Sequence, residues 1–87
     1  MTTLWDYYDG VDELCEHLRQ AGAYSWAESI AHAKLGGCTF GEILSNTGAL
    51  IRSLAQSPDA DVYGVAGEAG RLLADCDRLW NQANDGG

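Results

Sequence analysis

Basic residues are scarce in this chain: five Lys and Arg stand against thirteen Asp and Glu, for a net charge of −8 over 87 residues. That balance argues against nucleic acid and anionic membranes as partners, because both need cationic side chains to neutralise phosphate. Long apolar runs are missing too, so no stretch is suited to spanning a bilayer. The first ten residues, MTTLWDYYDG, lack the basic start of a secretory signal. Proline occurs once, and the apolar fraction of 46% is ordinary, so the chain has the material for one folded domain. A chain of this size buries about 60–65% of its unfolded surface, which leaves a thin core and little room for an elaborate pocket.

Paired or clustered metal ligands are also lacking. Cys15, Cys38 and Cys76 are far apart, no C-x-x-C or H-x-x-x-H spacing occurs, and Cys15 and His17 point to different faces of a helix. The three thiols read as small core groups in a reduced, cytoplasmic protein. No nucleophile elbow G-x-S-x-G is present, and Gly64, Gly67 and Gly70 are not followed by the G-K-[ST] of a phosphate loop. His17 and His32, the two histidines, read as surface residues. The expectation is a chain with no enzymatic activity, no cofactor and no metal.

What is present is helical periodicity. Residues 39–54, TFGEILSNTGALIRSL, carry Phe40, Ile43, Leu44, Thr47, Leu50, Ile51 and Leu54 at intervals of three and four, one stripe of a helix. Thr39 and Glu42 have capping-box spacing, and Cys38 and Ile43 have the spacing of a hydrophobic staple. Gly48 inside this helix costs about 1 kcal/mol against Ala, a cost that close packing of a neighbour would justify.

Three further helices are expected around it. The first covers 9–20, with Asp9 as its cap and Val11, Leu14, Cys15 and Leu18 inside; Gly22 supplies its left-handed stop. The second covers 25–35, with Ser25 and Glu28 as a capping box and Trp26, Ile30 and Ala33 as the stripe. The central helix spans 39–56. The last covers 58–83, starting at Ser57-Pro58 and carrying a stripe from Val62 to Ala83. Its three glycines, Gly64, Gly67 and Gly70, lower its propensity by up to about 3 kcal/mol, so either its first half frays or the helix begins nearer Ala66. The tail from Asn84 onward is expected to be disordered. Ahead of the first helix, Trp5 is expected to pack on the core, and at least one of Tyr7 and Tyr8 to be exposed. The fold class is therefore all-α: a single, compact, four-helix bundle-like domain.

Two surfaces suggest binding. Residues 1–16 hold Asp6, Asp9, Asp12, Glu13 and Glu16 with no Lys or Arg, and the adjacent Tyr7 and Tyr8 would add contact area at low entropic cost. The other surface is the side of the last helix with Tyr63, Gly67 and Gly70, flat enough to admit another backbone. A basic protein is the expected partner, steered by charge. GGCTFGEIL at 36–44, LRQAG at 18–22 and DRLW at 77–80 resemble the layout of small helical bacterial proteins of unassigned role. In size, acidity and absence of catalytic groups the chain also resembles the small immunity proteins of bacterial toxin systems, such as contact-dependent inhibition. That resemblance implies a stoichiometric inhibitor that covers a basic toxin domain, often a nuclease. The alternative is a regulatory or structural adaptor that self-associates into a homo-oligomer.

Overall fold

The computed structural model describes residues 3–85, with side chains described through Gln82. The helices are α1 (Leu4–Gln20), α2 (Tyr24–Gly36), α3 (Phe40–Gln56), the single turn α4 (Asp59–Val62) and α5 (Ala66–Asp85). The four long helices form an all-α bundle. Each packs on two others in the ring order α1, α2, α3, α5, while α1 and α3 lie across the diagonal. No strand occurs among the described residues.

The first helix starts five residues earlier than expected. Thr3, not Asp9, is its cap: the Thr3 hydroxyl accepts from the Asp6 amide at 3.1 Å, and the Asp6 carboxylate accepts from the Thr3 amide at 3.0 Å. Those bonds hold the Asp6 carboxyl below the usual carboxylate range. The earlier start takes the residues from Leu4 to Tyr8 into the helix. Tyr7 falls in register with Val11, Leu14 and Leu18 and is fully buried, whereas Trp5 is turned outward and 74% exposed. Trp5 thus does not pack on the core; its ring meets Tyr8 edge-on, with centroids 5.9 Å apart.

Gly22 stops α1 as expected, at φ +87°. The Ala23 amide returns to the Leu18 carbonyl and the Gly22 amide to the Arg19 carbonyl, the paired closure of a Schellman turn. That turn delivers Ala23 directly as the cap of α2, without a side-chain bond. Ser25 lies inside the first turn, so the expected Ser25–Glu28 capping box does not form. Ala27 and Ile30 are buried, and Trp26 is half-buried with its indole donating to Asp59 at 2.9 Å.

Thr39 caps α3, accepting from the Glu42 amide at 3.2 Å. The Glu42 carboxylate reaches one residue further back than expected, to the Cys38 amide at 3.3 Å. Cys38 is exposed, a correction to its placement in the core. Ile43 instead lies over Gly37, where a Cβ would sit 2.6 Å from Ile43 Cγ1. Gly48 faces α5 closely, since a Cβ there would lie 3.1 Å from the Cys76 sulfur. Thr39→Ala should lower stability by about 1 kcal/mol. An unchanged urea midpoint would show that the hydroxyl contributes nothing to this helix start.

The expected helix over 58–83 is two helices, and the long one begins at Ala66, the alternative start that its glycines left open. Ser57 Oγ accepts from the Asp59 amide at 3.1 Å and starts α4. Gly64, at φ +72°, ends it, with the Val65 amide bonded to the Ala60 carbonyl and the Gly64 amide to the Asp61 carbonyl. The same closure that ends α1 therefore breaks the chain here, and Val62 is left 72% exposed. Beyond the break, Ala69, Leu72, Cys76 and Leu79 are buried in the expected stripe. The helix continues through Asn84 and Asp85, past the expected start of the tail. The Ala83 side chain and the end of the tail lie outside the described residues.

Candidate functional site

The solvent face of α1 follows from its register. With Tyr7, Val11, Leu14 and Leu18 turned inward, Asp9, Asp12, Glu13 and Glu16 fall on the opposite side and are exposed, with Asp6 a turn ahead of them. The structure thus brings five of the expected contact residues together. It removes Tyr7 from the surface: its hydroxyl is 2.7 Å from Thr47 Oγ1 in the core, and burial pushes its phenol far above the ordinary value. Tyr8 remains half-buried at the edge of the face.

Charge on this face is not as uniform as the run of carboxylates suggests. Lys34 crosses from α2 to Asp12, with both carboxylate oxygens at 2.8 Å, and its ammonium lies 5.5 Å from the centre of the Tyr8 ring. Glu16 meets Arg19 at 3.7 Å. Asp9 and Glu13 have no ion pair among the described residues. Lys34 lies 22 positions from Asp12, beyond the reach of any local sequence pattern. Only the antiparallel packing of α1 and α2 joins them.

One clasp closes the α1–α5 seam. His17 Nδ1 lies 2.9 Å and 3.0 Å from the carboxylate oxygens of Glu68. This bond, and then the Glu68 charge, raise the His17 pKa above its ordinary 6.5. Its stabilising contribution is complete below that ordinary value and is lost as pH rises through the raised one. In a proton NMR titration, His17 should titrate above pH 6.5, and Glu68→Gln should bring it back down. A wild-type midpoint at or below the ordinary value would show that the clasp does not form in solution.

The second expected surface is only partly assembled. Gly67 and Gly70 are exposed on the outer side of α5, and a Cβ at either would meet nothing within 4 Å. Tyr63 is half-buried at the end of α4 and packs against the core cluster. The break at Gly64 separates it from the helix that carries the two glycines.

Among the described residues, no group of His, Cys, Asp and Glu is positioned to hold a metal ion. Cys15 and Cys76 are buried, which pushes both thiols up, and the Cys76 thiol donates to the Leu44 carbonyl at 3.3 Å. Among the described residues no helix is long and apolar enough to cross a membrane. The chain matches no family model, no curated protein and no solved structure.

Proposed function

We propose that this chain is a stoichiometric inhibitor, an immunity-type protein that binds a basic toxin domain in the bacterial cytoplasm and occludes it. The observation that carries the reading is the outer face of α1, where Asp9 and Glu13 are exposed without an ion pair among the described residues, beside the partnered Asp12 and Glu16. Carboxylates held on a rigid helix and left unpaired are suited to steer and orient a cationic surface. The three free cysteines fit a reducing compartment. The mechanism is coverage of the partner's working surface, probed best where charge matters most.

Asp9→Lys plus Glu13→Lys is the variant that isolates this face, because it breaks no ion pair of the fold. Stability should move by no more than about 0.5 kcal/mol. Association with a basic toxin domain encoded beside this chain should slow by about tenfold at low salt, and the difference should shrink as screening shortens toward about 10 Å at 0.1 M. The checks are a circular dichroism melt, a binding titration at two salt concentrations and a growth-protection assay. A folded variant that binds as fast as wild type at low salt would place the contact elsewhere. A neighbouring protein without toxicity would remove the immunity reading.

A further inference from the structure

Phe40 and Trp80 occupy inward register positions, four residues from the buried Leu44 and Cys76 respectively, yet they are 48% and 44% exposed. They belong to the same end of the bundle, because α3 and α5 run antiparallel and a Cβ on Gly41 would lie 3.7 Å from the Trp80 ring. Trp5 and Leu35, 74% and 82% exposed, are at that end too. Lys34, beside Leu35, sits over Tyr8, and Tyr8 carries Trp5 on its edge. Tyr24 and Val62, the other large apolar side chains exposed among the described residues, are at the opposite end. The core stripe therefore runs out of one end of the bundle uncovered. From there it continues into a groove of about 250 Å³ between α3 and α5, walled by Trp80 and floored by Gly48 and Cys76.

The margin of this end is acidic. Asp6 and Asp9 project from the start of α1 and Glu42 from the start of α3, all exposed. Lys34 is held between Asp12 and Tyr8, Arg52, further along the groove, is tied to Asp77 at 3.6 Å, and Arg78, near Trp80, is tied to Asp75 at 3.6 Å. We propose that this end seats a basic amphipathic helix of a protein partner. The apolar face of that helix would cover Phe40, Trp80 and Trp5, and its Lys and Arg residues would meet Asp6, Asp9 and Glu42. Charge decides among the possible occupants. A second copy would bring another −8 to an acidic rim, and an anionic bilayer would be repelled. The inference rests on the reading of the chain as a binder of a basic protein and adds the anchor that charge alone lacks. Buried aromatic anchors carry most of the energy of an interface, while rim charges mainly set its rate.

The probe is a synthetic Leu/Lys peptide of about eighteen residues, roughly 27 Å as a helix, with leucines at three-four spacing. Its control is a scrambled peptide of the same composition. Tryptophan emission of the full chain, titrated at physiological salt, reports binding. The amphipathic peptide should bind with a blue shift and the scrambled one at least about tenfold more weakly. Trp5→Ala and Phe40→Ala should each weaken binding by about tenfold or more with an unchanged melt, whereas Val62→Ala, at the other end, should bind as wild type. The proposal is overturned by no binding of the amphipathic peptide, equal binding of the scrambled peptide, wild-type binding by both end variants, or preferential binding to vesicles. Sedimentation as a dimer that Trp5→Ala dissolves would assign the end to a second copy instead. If Asp9→Lys plus Glu13→Lys still weakens toxin binding while the end variants do not, the acidic face of α1 stands and the apolar anchor alone is wrong.

Discussion

Tyr7→Ala should destabilise the domain by about 3–5 kcal/mol. Domains in general are stable by about 5–15 kcal/mol, so in one this small the loss should leave much of the protein unfolded at room temperature. Tyr7 is among the largest fully buried side chains, and it lies one turn from the start of α1. Its hydroxyl has a defined role. The Thr47 hydroxyl donates its one proton to the Ile43 carbonyl, so the Tyr7 hydroxyl is the donor to Thr47 Oγ1. Tyr7→Phe keeps the ring and loses that bond, at about 1 kcal/mol. Thr47→Val removes the acceptor from a buried donor and should cost about 1–3 kcal/mol, more than the loss of the donor itself. Urea melts of the three variants give the order directly. A Tyr7→Ala midpoint close to wild type would mean that the ring is not in the core.

Leu44→Ala should follow at about 2–5 kcal/mol. Leu44 is 1% exposed in the middle of the α3–α5 seam, and its carbonyl receives the Cys76 thiol. Truncation leaves a void beside Gly48, where the two helices are already in close contact and cannot approach further to fill it. Calorimetric melts of wild type and variant measure the loss. A shift of only a degree or two would show α3 to be peripheral. Leu50, on the same expected stripe, is half-buried beside Trp26, and its truncation should cost less.

The parts of this fold legible in the sequence are those fixed by near neighbours. The Thr39 cap, the Ser57 start, the Gly22 stop and the stripe of α1 each depend on near neighbours, and each forms; the stripes of α3 and α5 form except at Phe40, Val62, Ala66 and Trp80, which are exposed. The errors have a common origin in competition between equally good local signals. Thr3 and Asp9 are both acceptable caps, and Tyr7 settles the choice by burying its ring against α3, a contact 40 positions away. Gly64, Gly67 and Gly70 are spaced alike, but only at Gly64 do the Ala60 and Asp61 carbonyls receive returning amides that end a helix. Ser25 loses its cap because the turn at Gly22 has already started α2. At the candidate site the carboxylates were legible from α1 alone. The cation among them comes from α2, and the burial of Tyr7 from α3.

The bond from Tyr7 to Thr47 joins the two helices that are not neighbours in the ring. The first turn of a helix ordinarily peels away at little cost, because its early amides have no intrahelical acceptors. Here that turn is pinned from inside the protein. From the Tyr7 amide onward, which bonds to the Thr3 carbonyl, hydrogen exchange in α1 should therefore be as slow as in the middle of α3, and the two segments should exchange together. Fast exchange belongs at the other end, in the single turn of α4. On that pattern, loosening of the native state is expected to begin at the Gly64 corner, with the acidic face and the apolar end still in place.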